Sequence, residues 1–262
     1  MATASVTRLN ADHRDQVVIA GSHGGLIAAY LAAKSGVRAV ILNDAGVGLD
    51  DAGIAGLGYL NAIGMAAATV DAWSARIGDG EDALACGRIS HVNTIAAALG
   101  IRAGMATADA AQRLCQAPHP HSVPPPVHET AYPLLTQPGC RPVWGLDTVS
   151  LAAPAHDGSV ILTGSHGGLL DGQAAAALKC AAQAAVFNDA GIGKDNAGIG
   201  RLAALETRAI AGATVDARTA RIGDARSSWD TGIISRCNDT AFRAGARPGM
   251  EAQAFARLFI AF

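Results

Sequence analysis

The sequence predicts an α/β protein made by tandem internal duplication: two βαβ-type units with mostly parallel sheets, related by pseudo-twofold symmetry. Three observations carry this. One series of polar motifs occurs twice, in the same order. Short apolar runs alternate with stretches of helical periodicity, the pattern of a parallel sheet with helices on its faces. The apolar runs are continuous, as in strands covered on both sides.

The repeat comes first, because missing it would misassign the whole fold. VVIAGSHGGL at 17–26 returns as VILTGSHGGL at 160–169. NDAGVGLDDAGI at 43–54 returns as NDAGIGKDNAGI at 188–199, and TVDAWSARIGD at 69–79 as TVDARTARIGD at 214–224. GRISHVN at 87–93 pairs with GIISRCN at 232–238, and a Gly-Met pair closes each copy at 104–105 and 249–250. Ser22 and Ser165 stand 143 apart, Asn43 and Asn188 145 apart, so a two-residue insertion falls near Asp171. Upstream, His13 matches His156. The first unit is therefore read as 4–115 and the second as 147–258. Between them, 116–146 holds eight of the ten prolines and reads as an extended, partly polyproline linker laid over the surface. Its His119, His121 and His128 lack the Cys or carboxylate cluster that would complete a metal site.

Within each unit the elements follow in order. VVIA is a strand ending at GSHGG, and LIAAYLAAKSG continues as a helix. RAVIL is a second strand ending at NDAG, followed by a helix over 56–63. MAAATV is a third strand ending at Asp71, and 82–99 reads as helical again. In such sheets ligands bind beyond the carboxyl ends of the strands. The three motifs are therefore expected along one sheet edge, sharing a pocket.

Bulk composition bounds the function. The 262 residues suffice for one large domain or two small ones. Half are hydrophobic and 16% charged, a globular balance. Aromatics are only 4%, so no platform exists for stacking bases. A net charge of −2 without any Lys/Arg run argues against nucleic acid and anionic membrane as partners. The N-terminal MATASVTRLNADHRDQ lacks the apolar core of a signal peptide, and apolar stretches break before membrane-spanning length. Five cysteines, an odd number with no C-x-x-C, fit a reduced, cytoplasmic protein. No G-x-G-x-x-G follows the first strand and no G-K-[ST] occurs, which disfavours NAD(P) and ATP.

The motifs supply the chemistry. In GSHGG, Gly24, Gly25, Gly167 and Gly168 let backbone approach a ligand, and the helix start behind them offers N–H groups to an oxyanion. Ser22 and Ser165 are helix caps or nucleophiles. His23 and His166 are candidate acid–bases or ligands. AGSHGGLIAAYLAA resembles the strand–elbow–helix of α/β-hydrolases, with Ala20, Ser22 and Gly24 at the small-x-nucleophile-x-small spacing and Thr163, Ser165 and Gly167 fitting it loosely. The resemblance covers about 15 residues and implies a nucleophilic serine. It departs from the family in lacking the Gly two before the Ser, in occurring twice, and in having no late Asp…His order, and is read as convergence on a turn.

In NDAG, Asp44 and Asp189 are expected beside the imidazoles, orienting and charging them, with Asn43 and Asn188 as ligand contacts. Asp50 and Asp195 follow in the loop, where bracing of turns is the plainer role. The third motif adds Asp71, Asp216, Arg76 and Arg221. Each Arg can pair with Asp79 or Asp224 three residues on, or clamp a carboxylate or phosphate. Ser90 and Asn93, with Ser235 and Asn238, fall in the expected last helix as caps, packing residues or ligand contacts. Unmatched positions (Leu49 against Lys194, Asn61 against Glu206, Ala28 against Asp171, His91 against Arg236) would break the symmetry for an asymmetric substrate, and Lys194 joins the substrate-binding candidates.

The expected function is a small-molecule enzyme, most simply a hydrolase of an amide, lactam or ester needing no cofactor, its substrate bearing a carboxylate held by Arg76 and Arg221. Two alternatives stand beside it. One is a divalent-metal lyase or hydrolase using His23, Asp44 and Asp71 as ligands. The other is a non-catalytic ligand-binding protein or homo-oligomer.

Overall fold

The apolar runs become the central strands of two mostly parallel sheets in the computed structural model, which describes residues 1–261. In the first half, β1 (Ala2–Thr3), β2 (Val17–His23), β3 (Ala39–Asn43), β4 (Ala66–Val70) and β5 (Ile89–Val92) lie side by side in that order. All pairings are parallel except β4 with β5. The helices are α1 (Leu26–Lys34), α2 (Gly56–Ala62), α3 (Gly80–Cys86), α4 (Thr94–Ala98) and α5 (Thr107–Leu114).

Alternate residues of one strand feed two cores, the reason the runs are apolar throughout. Val17, Ile19, Ile41 and Ala68 face α3, α4 and α5 through Ala83, Ala96 and Leu114. Val18, Ala20, Val40 and Leu42 face α1 and α2 through Ala29, Ala32, Leu57 and Leu60.

The second half orders its sheet β11-β10-β9-β8-β7-β6. Its strands are β6 (Ala131–Leu135), β7 (Val143–Leu146), β8 (Val160–His166), β9 (Ala184–Asn188), β10 (Ala211–Val215) and β11 (Ile234–Cys237). Its helices are α6 (Arg201–Glu206), α7 (Ala225–Thr231), α8 (Asp239–Arg243) and α9 (Ala252–Arg257). Strands β7 to β10 run parallel, with β6 and β11 antiparallel at the edges.

Three elements differ from expectation. The helix expected over 82–99 is α3, then β5, then α4. Gly87 ends α3, where a side chain would strike the Ala83 carbonyl, and β-branched Ile89 and Val92 suit a strand. Ser90 therefore sits on a strand, and Asn93 caps α4 while its amide donates to Met65 O at 2.7 Å. Secondly, the Pro-rich 116–146 carries β6 and β7, with Pro133 in a strand at the sheet's rim, where proline is tolerated. Thirdly, nothing answers α1 in the second half. Asp171 and Gly172 adopt φ of 49° and 68°, which breaks the helix in its first turn, and only a 3₁₀ turn, Ala174–Ala176, follows.

The halves are joined by their NDAG loops. Ala45, Gly46, Val47 and Gly48 all have positive φ, as do Ala190, Gly191, Ile192 and Gly193. Such a conformation is costly for Val and Ile and persists only when its surroundings enforce it. They do: a Cβ on Gly46 would lie 2.8 Å from Gly191 Cα. Leu49 N donates to Ala217 O and Lys194 N to Ala72 O, each at 2.8 Å, across the joint. Arg76 pairs with Asp195 at 3.1 Å and Arg221 with Asp50 at 3.0 Å. Ile77, Ile222, Ala45 and Ala190 fill a small apolar core there.

Candidate functional site

Each GSHGG motif begins inside a strand. Between Ile19 and His23 the β2–β3 register slips, and the β8–β9 register slips likewise between Leu162 and His166. Each slip turns an imidazole toward the opposite half. His23 and His166 meet with ring centroids 6.4 Å apart, nearly perpendicular. They are 8% and 7% exposed. A Cβ on Gly223 of the second half would lie 3.7 Å from His23 Cε1, so His23 reaches across the joint.

The protonation state follows from the hydrogen bonds. Gly25 N–H donates to His23 Nδ1, and Gly168 N–H to His166 Nδ1, each at 3.1 Å. An Nδ1 that accepts leaves the proton of the neutral ring on Nε2. Burial pushes the His23 imidazole down to about 4. Burial also holds His166 well below its ordinary value, helped by the Arg201 and His23 charges. Both rings are thus neutral Nε2–H donors at physiological pH, and neither Nε2 has a hydrogen-bond partner among the described residues.

The glycines are set by this turn. A Cβ on Gly25 would lie 2.7 Å from His23 Nδ1, and one on Gly24 2.5 Å from Gly53 O. Gly167 and Gly168 are equally confined, by Gly198 O at 2.4 Å and Ile77 Cγ2 at 2.9 Å.

Ser22 and Ser165 line the same cavity but bond elsewhere. Ser22 Oγ accepts from Val6 N at 3.0 Å and donates to Ser5 Oγ at 3.2 Å. Ser165 Oγ accepts from Val149 N at 2.9 Å. Among the described residues neither serine bonds an imidazole, the contact a histidine-activated nucleophile needs. Asp44 and Asp189 stand apart from the rings. Asp44 Oδ1 accepts from Gly46 N and Ala72 N, and Asp189 Oδ1 from Gly191 N and Ala217 N, all within 3.0 Å. Burial raises both carboxyls, opposed by these bonds and by Ser90 and Ser235.

The remaining candidates brace loops or join the halves. Asn43 and Asn188 each accept from the amide two residues on and donate to Ala75 O and Ala220 O. Asp71 caps the Trp73 amide, and Asp216 binds Arg218. Arg76 and Arg221 are held by Asp79 and Asp224 as well as by their partners across the joint. Lys194 Nζ lies 2.8 Å from Asp82. The described residues contain no group of three or more His, Cys, Asp or Glu arranged to hold a metal ion.

The cavity over the two rings has a volume of about 70 Å³ and draws on both halves. Its acid and its arginine, Glu129 and Arg201, were not singled out by the motifs. Arg201 opens α6 and is 2% exposed. Its Nε donates to His166 O at 3.3 Å and its Nη1 to Ala176 O and Ala177 O, while its guanidinium lies over the Phe187 ring. No carboxylate among the described residues pairs with it, and burial pushes it down to about 10. Glu129 comes from the Pro-rich connection. Burial raises its carboxyl, Thr148 opposing and Asp147 adding to the rise. Signals existed for both: Arg201 falls opposite Gly56, and Glu129 is the only acid in 116–146. Glu129 and Ile27 also line a neighbouring cavity of about 340 Å³ with Leu26, Ala52, Val127 and Ile222.

No described helix is long and apolar enough to cross a membrane. No protein-family model, curated protein or solved structure matches the chain.

Proposed function

We propose that the chain is a small-molecule hydrolase acting on an amide, lactam or ester carbonyl in the cavity between its halves, which stem from one duplicated unit related by a pseudo-twofold axis. One observation carries the reading: two buried, neutral imidazoles from matched motifs face one cavity with unpartnered Nε2–H groups. Fixed N–H donors in a water-poor site stabilise charge developing on a carbonyl oxygen. The rings act as electrophiles here, because an Nε2 already carrying a proton accepts none from a serine.

Glu129 is the proton carrier. Its raised carboxyl lies nearer to neutral pH, where a general base works best. As carboxylate it takes a proton from water, and the resulting hydroxide adds to the carbonyl carbon. The carbonyl oxygen gains the negative charge, held by the His23 Nε2–H. On collapse the C–N or C–O bond breaks, and the Glu129 carboxylic acid returns the proton to the leaving nitrogen or oxygen. The 70 Å³ over the rings accommodates a carbonyl group and one water, which occupies about 30 Å³ in the liquid. The body of the substrate extends into the 340 Å³ cavity that shares Glu129. The five free cysteines support a reducing compartment.

A panel of amides, lactams and esters tests the proposal. In any substrate turned over, Glu129→Gln lowers kcat by about a hundredfold or more and His23→Phe by a similar factor. Ser22→Ala retains most of the rate. Full activity in Glu129→Gln, or complete loss in a folded Ser22→Ala, overturns this assignment of roles.

A further inference from the structure

The cavity over the imidazoles holds more positive character than a neutral carbonyl requires. Arg201 is buried beside it, with backbone carbonyls as its hydrogen-bond partners and no acidic partner among the described residues. A buried cation without a counter-charge is costly, and an anion beside it offsets that cost. Two Nε2–H groups, each on a ring more than nine-tenths buried that lines the cavity, have no acceptor among the described residues. The nine-residue α1 adds its start: Gly25 caps it without a side-chain bond, and Ile27 and Ala28 of its first turn line the cavity. The opposing charge is Glu129, at the edge shared with the larger cavity.

From this we infer that the cavity between His23, His166 and Arg201 is a carboxylate-binding site, and that substrates of the proposed hydrolase are small carboxylic acids. The carboxylate lies against the Arg201 guanidinium and the α1 N-terminus and accepts from the Nε2–H of His166, the ring beside Arg201, while the His23 Nε2–H holds the reacting carbonyl oxygen. This rests on the same cavity being the working site. It moves the anionic anchor from Arg76 and Arg221, both engaged by aspartates, to an arginine that has none. The volume suits one carboxylate with a short attachment, and Glu129 stands where that attachment enters the larger cavity.

Acetate and its neutral isostere acetamide are the probes, titrated into protein carrying ¹⁵N-labelled histidine at pH 7. Acetate is expected to shift the His166 Nε2 resonance and to bind at least about tenfold more tightly than acetamide. Arg201→Met should remove that preference, and Arg221→Met should leave it intact. Should Arg201→Met fail to fold, Glu129→Gln decides: removing the one opposing charge strengthens acetate binding several-fold and leaves acetamide unchanged. Equal affinity for the two probes, acetate binding that leaves the His166 Nε2 resonance unmoved, or weaker acetate binding in Glu129→Gln overturns the inference while the hydrolase reading stands. Acetate preference in a protein that turns over no amide, lactam or ester keeps the carboxylate-binding site and ends the hydrolase reading.

Discussion

The two halves differ most where α1 lies. In the first half α1 covers the sheet, and the matched position of the next helix is Gly56, whose Cβ would meet Ala29 Cβ and Gly24 O at 2.6 Å. In the second half there is no such helix, and that position is Arg201, whose guanidinium binds the carbonyls of 176 and 177 in the irregular segment. One position therefore reads glycine or arginine according to whether a helix stands over it. The lesson is that two stretches carrying the same motifs can differ by a whole element where one side chain fills the space, and here that side chain brings a charge to the edge of a shared cavity.

Exchanging these two residues is the strongest way to break the comparison. Gly56→Arg should cost on the order of 3–5 kcal/mol, because a long side chain must displace α1 from the Gly24 backbone. Arg201→Gly should cost less, about 2 kcal/mol, the penalty of carbonyls left without donors offset by the desolvation no longer required of a guanidinium. Urea unfolding of both variants measures the difference. A larger loss from Arg201→Gly would mean that the arginine, not α1, organises this layer.

Much of the fold was legible because burial on both faces leaves a plain mark: every residue of β3, β4, β9 and β10 is buried, and each run is apolar up to its motif. What stayed hidden depended on tertiary pairing. The edge strand β5 is short and borders helices on both sides, so its Ile89 and Val92 merge with their periodicity. The absence of a helix matching α1 turns on two left-handed residues, 171 and 172, within a sequence rich in alanine. Of the candidate site, the imidazoles and serines line one cavity, whereas the carboxylates were not separable from loop braces in the sequence. Asp44 looks like a partner for His23 in sequence, and only the positive-φ run beside it shows what it holds in place.

The imidazole pair offers a sharper comparison, since here the halves are alike. Each ring has a depressed pKa in the folded chain, so each adds stability that is fully present above the unfolded histidine value of about 6.5. That stability is lost as the pH falls below the ordinary histidine range, down to about 4 for His23, with the His166 ring, held well below its ordinary value by burial, losing its share in the same direction. The expected slope is up to about 1.4 kcal/mol per pH unit for each histidine. His23→Phe and His166→Phe should each remove one share, measured as unfolding free energy between pH 7 and 4. Unequal shares would show that the rings, though matched in their bonds, sit in different fields, with Arg201 the charge that distinguishes them.

The smallest expected effect tests a corner of the joint where the halves differ as a pair. Asp82 accepts from the Arg76 amide at 2.8 Å and binds Lys194 at 2.8 Å. At the matched positions Ser227 accepts from the Arg221 amide at 2.9 Å, and the residue answering Lys194 is Leu49. Burial works against the Asp82 charge, yet Lys194 and Arg76 hold its carboxyl below the usual range. Lys194→Leu alone leaves that carboxylate with Arg76 as its remaining cation and should cost about 1 kcal/mol. Adding Asp82→Ser copies the other half's solution and should recover most of the loss, because the hydroxyl still accepts the amide and no buried charge remains. A double-mutant cycle by urea unfolding reads the coupling. A positive coupling makes the acid and the lysine one unit, present in one half and absent from the other. Additive losses would make Asp82 a backbone brace whose charge matters little, with the lysine left as a half-buried partner of small consequence.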